Sequence, residues 1–215
     1  MHPDYRLNDA IHSGCTADFN DAVDAGADVS FPDWKGQEPL EVAMRCARAD
    51  MAQQLIELGA DPNGAVGKRQ DRLIHAAARR KDFGFVRLLL SAGVPPNSRG
   101  TCDRTALHFA ANAGLQYMVS DLLAHNANPN SSDTSGDTPL HLAARAGQPG
   151  TVRQLLGASA DARRPNNMLY TPIHEAAAKG HTEIAVALLK HRESDRCVRS
   201  IRRSLLPGSE RGRAA

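Results

Sequence analysis

Apolar residues return along this chain in one repeating arrangement. From 138 to 157, Ala143 and Ala144 are followed, past Gly147, by Val152, Leu155 and Leu156. The next block reads Ala176-Ala177-Ala178, Gly180, Ile184 and Leu188-Leu189, and the block before it reads Ala110-Ala111, Gly114, Val119 and Leu122-Leu123. Steps of three and four residues put apolar side chains on one face of a helix. The alanines are small, so helices carrying them can approach closely. Each block therefore predicts a short helix, a tight turn ended by Gly, and a second helix. A turn follows each second helix: Gly26-Ala27-Asp28, Gly59-Ala60-Asp61, Gly93-Val94-Pro95, Asn126-Ala127-Asn128 and Ser159-Ala160-Asp161. Its first residue is expected in the left-handed region, which Gly adopts without strain. Ser159 holds that place at a cost of ~1 kcal/mol.

The polar punctuation has a fixed period. His75, His108, His141 and His174 are 33 residues apart, and each closes a similar tetrapeptide: Arg72-Leu73-Ile74-His75, Thr105-Ala106-Leu107-His108, Thr138-Pro139-Leu140-His141 and Thr171-Pro172-Ile173-His174. Thr138 suits a helix cap through its hydroxyl, and Pro139 suits the first helical position. Period and tetrapeptide together resemble the ankyrin repeat. The resemblance implies an all-α ankyrin-repeat solenoid of about six helix-turn-helix repeats with a C-terminal helical extension. Aligned on the His position, the column reads Asn8, Glu41, His75, His108, His141 and His174. The repeats then run over about 3–32, 33–66, 67–99, 100–132, 133–165 and 166–192, inside one domain of 1–192. One step is 34 residues rather than 33, and the extra residue is expected in the loop Gly64 to Asp71, because inside a helix it would rotate the apolar face. Unit one, with Asn8 and Asp9 in place of the inner pattern, reads as a cap with a wet outer face. Unit three has Arg72 at the cap, which forfeits a hydroxyl cap worth ~1 kcal/mol. Asp71 is the substitute cap if that helix begins one residue earlier. Units one to three are expected to be the looser half.

Composition changes this picture little. The chain has 215 residues, 41% hydrophobic and only 4% aromatic, which fits thin layers of Ala and Leu, and a net charge of +2 does not argue for nucleic acid. No apolar run is long enough to cross a membrane, and the first residues lack the apolar stretch of a signal peptide. Cys15, Cys46, Cys102 and Cys197 are scattered, without metal or disulfide-framework spacing. A reducing compartment follows, the cytoplasm or the nucleus.

Regular histidines invite a metal, but residues one repeat apart lie one layer apart, roughly 10 Å, against a metal–nitrogen bond of ~2.0 Å. The resemblance implies instead that each imidazole ties its loop to its helix. His12, His125, His181 and His191 fall at turn or surface positions. There is no phosphate-binding glycine loop, no Gly-x-Ser-x-Gly and no His-Glu-x-x-His; His174-Glu175 runs on into Ala176-Ala177-Ala178. No catalysis, cofactor or metal is expected.

The resemblance points to a protein partner, bound on the concave face by a monomer. Exposed positions four and five residues after the His column hold Arg45, Arg79, Arg80, Asn112, Arg145 and Lys179, a basic stripe suited to an acidic segment. Trp34, Met168 and Tyr170, with Leu169, stand at loop tips as apolar anchors. Lys68, Arg69 and Arg99 extend the positive field.

From Glu193 to Ala215 the chain holds six arginines and three acids, net +3, leaving −1 for the remainder. Cys197, Ile201 and Leu205 share one face of a short amphipathic helix ending before Pro207, with a disordered end expected beyond. Three readings stay open: a helix capping the last repeat, a nuclear-import or anionic-surface signal, and a SOCS-box helix. The run Cys197-Val198-Arg199-Ser200-Ile201-Arg202-Arg203-Ser204-Leu205 resembles the segment that grips Elongin C in the ankyrin-repeat-and-SOCS-box family. That resemblance implies Elongin B and C as partners and a substrate-receptor role in ubiquitin ligation. It departs from the family at Glu193 and in the missing cullin-contacting half. An inhibitor or secreted effector that binds an enzyme is a further alternative.

Overall fold

The computed structural model describes residues 2–67 and 71–191. Arg69 and Lys68, and the tail residues Cys197, Ile201 and Leu205, lie outside the described residues. Among the described residues the regular structure is helical, apart from one isolated bridge pairing Ala65 with Arg72. The helices come in pairs: α1 (Pro3–Ser13) and α2 (Thr16–Asp24), α3 (Pro39–Arg45) and α4 (Ala49–Glu57), α5 (Leu73–Arg79) and α6 (Phe83–Ser91). They continue with α7 (Ala106–Ala113) and α8 (Gln116–Ala124), α9 (Pro139–Arg145) and α10 (Pro149–Gly157), α11 (Pro172–Ala178) and α12, residues 182–191. A 3-10 turn, Thr101–Asp103, precedes α7.

Each pair buries its apolar stripe against the next pair. Ala110, Ala111, Ala143 and Ala144 are fully buried where α7 and α9 meet, and Leu107, Leu122, Leu140 and Leu155 fill the space between pairs. Each such leucine contributes about 2 kcal/mol relative to an exposed one. The result is one continuous cluster running from Leu7 to Leu188. First helices pack on first helices more closely than second helices on second helices along α5 to α11, so the stack curves with the first helices inside. The exception is the α3–α5 junction, the thinnest contact between neighbouring first helices. It lies beside the lengthened loop. Helices α3 and α5 are both seven residues long and α4 and α6 both nine, so the extra residue sits outside them, as the periodicity requires.

The turn residues after the second helices have the expected hand: Gly26, Gly59, Gly93, Asn126 and Ser159 all carry positive φ, 64° at Ser159. Three expectations need correction. Asn8 is buried rather than wet: its Nδ2 donates to Phe31 O at 3.1 Å, while Asp9 is exposed. Asp71 does not cap α5, which starts at Leu73; it accepts the Thr101 amide at 2.8 Å and pairs with Arg79. The Thr138 hydroxyl lies 2.9 Å from His141 Nδ1, so the cap works through the imidazole.

Among the described residues no helix is long and apolar enough to cross a membrane.

Candidate functional site

The histidines form a polar spine that fixes how each loop meets its own helix and the next loop. In unit four, His108 Nδ1 accepts the Thr105 amide at 3.1 Å and its hydroxyl at 2.9 Å, while Nε2 donates to Asp137 O, one repeat on, at 3.1 Å. In unit five, His141 accepts from Thr138 and donates to Tyr170 O at 3.0 Å. In unit three, His75 accepts from the Arg72 amide and donates to Ser98 O at 2.8 Å. A guanidinium has no acceptor, so Arg72 supplies only the amide half of this box. An Nδ1 that accepts and an Nε2 that donates define one neutral tautomer. Burial disfavours the charged form and lowers the pKa of His75, His108 and His141, that of His108 to about 4. Where a bulky residue would block this meeting, the chain has Gly100: a Cβ there would lie 2.6 Å from Asp71 Oδ1 and 2.9 Å from the His75 ring. His174, at the end of the stack, keeps the bonds to Thr171 but is exposed, and its Nε2 has no bond among the described residues. Among the described residues no cluster of His, Cys, Asp or Glu could hold a metal ion.

The basic stripe lies on the first helices, with much of its charge already answered. Arg145 Nη2 lies 2.8 Å from Asp137 and 2.7 Å from Glu175 across the unit boundary. The Glu175 hydrogen bond, outweighing burial, raises the pKa of Arg145, and the same bond lowers that of Glu175. Arg79 pairs with buried Asp71 and lies 5.6 Å from the Phe109 ring centre. For Asp71 burial opposes the charged form, but the Thr101 amide and the Arg79 guanidinium prevail and lower its pKa. Arg45 pairs with Glu41 at 3.3 Å, and Arg80 donates to Arg45 O at 3.0 Å. Arg99 reaches Ser132 O at 3.2 Å and Asp103 at 3.7 Å. Asn112 and Lys179 are exposed. The acidic partners had a sequence signal that went unread: an Asp eight residues before Arg in units three and five, Asp71 to Arg79 and Asp137 to Arg145.

The loop tips are open. Trp34 is 79% exposed, with Lys35 Nζ 4.3 Å from its ring centre, so it does not fold over its own loop. Met168, Leu169 and Tyr170 are 75%, 78% and 50% exposed. Asn166 holds this loop by accepting the Met168 and Tyr170 amides at 3.0 Å, the part Asp133 plays for Ser135 and Asp137 one unit earlier. Leu169 has φ +63°, at the place where units two and five have Gly36 and Gly136, φ 74° and 76°. A leucine there costs about 1–2 kcal/mol. Tyr117, 83% exposed at the start of α8, is a surface aromatic that nothing in the repeat pattern marks. It borders an open groove of about 580 Å³, with Lys81, Phe83, Leu115 and Met118, on the edge where first helices turn into second ones.

Comparisons with known proteins agree with this geometry. A family model described as ankyrin repeats in three copies matches residues 73–166 and 117–200, more than half of the chain taken together. An ankyrin repeat-containing protein of Treponema pallidum (strain Nichols) is 36% identical over 88 residues, 41% of this chain and 30% of that protein. An ankyrin repeat protein of fowlpox virus (strain NVSL) is 32% identical over 76 residues, 35% of this chain and 13% of that one. The transient receptor potential channel pyrexia of Drosophila melanogaster is 36% identical over 84 residues, 39% of this chain and 9% of the channel. The matched stretch is thus under a third of each relative's length. The crystal structure of an ankyrin repeat domain from Acinetobacter baumannii AYE superposes with a TM-score of 0.81 at 28% identity, over 87% of this chain and 97% of that one. By its helix pairs, its spine and these matches, the chain belongs to the ankyrin-repeat family.

Proposed function

We propose that this chain is a non-catalytic scaffold that binds a partner protein through its concave surface. Residues 1–192 form the binding domain, and 193–215 a basic tail. Ankyrin repeats are a general protein–protein interaction fold, which supports the coarse reading. The observation that carries the finer one is Leu169. A large apolar side chain stands 78% exposed on a backbone that glycine would hold without strain. Strain kept at an exposed apolar tip marks a candidate contact site. Met168 and Tyr170 flank it, and Trp34 offers a second anchor at the other end of the stack.

The segment of the partner that meets the first helices is acidic in this reading. Arg45, Arg79, Arg145 and Arg99 are partly neutralised by neighbouring acids, so the open positive field comes chiefly from Arg80 and Lys179. A rigid, preorganised surface loses little ordering entropy on docking.

The test is an affinity purification with three proteins: wild type, a triple variant Met168→Ser, Leu169→Ser, Tyr170→Ser, and the back-edge control Tyr117→Ser. A partner kept by wild type and control but lost by the triple variant supports the reading. A partner retained by the triple variant, or lost with Tyr117→Ser, overturns it.

A further inference from the structure

We propose that Cys46 is a reactive thiol, activated by His12 and Asp33 for exchange with small disulfides. The three residues come from separate elements of the first two units. His12 lies in the last turn of α1, Asp33 in the loop leading to α3, and Cys46 at the C-terminal cap of α3. The fold brings them into a line. His12 Nδ1 is 3.7 Å from Cys46 Sγ, a contact distance for S–H···N, and His12 Nε2 is 3.6 Å from Asp33 Oδ2, within ion-pair range.

Asp33 is the telling member. Its side chain is 1% exposed, and its Oδ1 accepts the amides of Lys35 at 2.8 Å and Gln37 at 2.9 Å. Those bonds hold the carboxylate rigidly in the loop. Oδ2 is buried and has no hydrogen-bond partner, and the imidazole is what faces it. A buried acceptor left unmade costs about 1–3 kcal/mol, so this oxygen is poised for a donor. His12, its Nε2 in ion-pair range of this oxygen at 3.6 Å, is oriented by the carboxylate with its proton on Nε2 and its Nδ1 lone pair toward sulfur. This is the nucleophile, base and orienting carboxylate arrangement by which proteins activate weak nucleophiles.

The repeat gives a comparison. The place of His12 is held by Arg45, Arg79 and Arg145 in other units, where a guanidinium makes the ion pair to a buried acid. Arginine cannot take up a proton. Only unit one places a base there, and it is the unit whose neighbour supplies a thiol. The place of Cys46 is held elsewhere by Ser13, Arg80, Ala113, Ala146 and Lys179, so packing does not demand cysteine. The His12 side chain is 38% exposed and Cys46 is only partly buried, so a small molecule reaches them from solvent.

The step balances without further reagents. The proton leaves Cys46 Sγ for His12 Nδ1, and Asp33 stabilises the imidazolium that forms. The thiolate attacks one sulfur of a disulfide R–S–S–R. That S–S bond breaks as the Cys46–S–S–R bond forms, and the departing RS⁻ takes the proton from His12. The net change is one thiol and one disulfide converted to a mixed disulfide and a free thiol, the small disulfide being the oxidant.

The test uses the full chain and 2,2′-dithiodipyridine, with modified peptides located by mass spectrometry over time. Cys102, which is exposed, is the internal reference. Cys46 is expected to react about tenfold faster than Cys102, the gain brought by an adjacent imidazole that takes the thiol proton as the sulfur attacks. His12→Gln should remove that advantage and leave Cys102 unchanged. Asp33→Asn keeps an oxygen for the Lys35 and Gln37 amides, so the loop should hold while the Cys46 rate falls part of the way. Circular dichroism establishes that the variants fold. The proposal is overturned if Cys46 reacts no faster than Cys102, if the fast phase survives Cys46→Ser, or if His12→Gln leaves the Cys46 rate unaltered.

Discussion

Neutral, buried histidines should make this protein acid-sensitive well above the range where its carboxylates protonate. His108 is fully buried, and burial lowers its pKa to about 4. The unfolded chain binds this proton with the ordinary His pKa of about 6.5. Between those values the unfolded state holds more protons than the folded one, so stability is complete above about pH 6.5 and is lost as pH falls toward 4. Integrating for this one group from pH 7.5 to 5.0 gives a loss of about 2 kcal/mol, rising to about 3 kcal/mol below pH 4. His75 and His141, with pKa values lowered by the same cause, lose stability in the same direction. His108→Gln isolates the contribution. Its amide can accept from Thr105 and donate to Asp137 O, as the imidazole does, but cannot be protonated. Urea unfolding followed by circular dichroism, for wild type and variant at both pH values, reads the effect. The stability gap between them should shift in the variant's favour by about 2 kcal/mol at pH 5.0 relative to pH 7.5. A gap that is the same at both pH values would refute the assignment of a neutral, donor-through-Nε2 imidazole.

Other outcomes follow from the same geometry. Leu169→Gly and Ser159→Gly each relieve a left-handed non-glycine residue and should each raise stability by about 1 kcal/mol, roughly 2–4 °C in Tm; Leu169→Gly should at the same time weaken partner capture, and a lowered Tm for either would count against the strain. Arg145→Ala leaves Asp137 and Glu175 buried without their counter-charge and should cost about 2 kcal/mol, reduced from the fully buried case because Arg145 is 34% exposed. Arg153→Ala, at a single exposed pair with Glu183, should leave the urea midpoint unchanged. In amide exchange, units one to three should be less protected than units four to six, the α3–α5 junction being the weakest of the inner contacts; the reverse order would contradict this.

Much of the fold was legible because its rules are local. A helix face needs residues three and four apart, a left-handed turn needs one residue, and the 33-residue period could be counted directly. The extra residue in the loop before Asp71 was placed by the same reasoning, since only a loop absorbs it without turning a helix. What stayed hidden depends on partners one unit away. Asn8 looked solvent-facing until Phe31 O was found opposite it, and Arg145 looked available until Glu175, thirty residues on, was seen against it. The Leu169 strain is invisible in composition, because nothing in the letter L announces a positive φ; alignment with Gly36 and Gly136 was the available clue. His12, Asp33 and Cys46 match no catalytic motif in the sequence, and only the stacking of units brings them together.

The spine of histidines also sets how such a chain can be edited. In units four and five the imidazole is fitted to a carbonyl that arrives on the following loop, 29 residues on from His108 and from His141. Removing or duplicating one whole 33-residue block therefore brings an equivalent carbonyl to the same place, and the joint heals. A cut that alters this 29-residue interval within a helix separates His108 or His141 from its carbonyl. Units of this protein are accordingly exchangeable cassettes with a built-in ruler. Grafts that keep Thr105 to Asp137, or Thr138 to Tyr170, as complete donor-to-acceptor segments should splice into a longer or shorter stack without redesign of the interface.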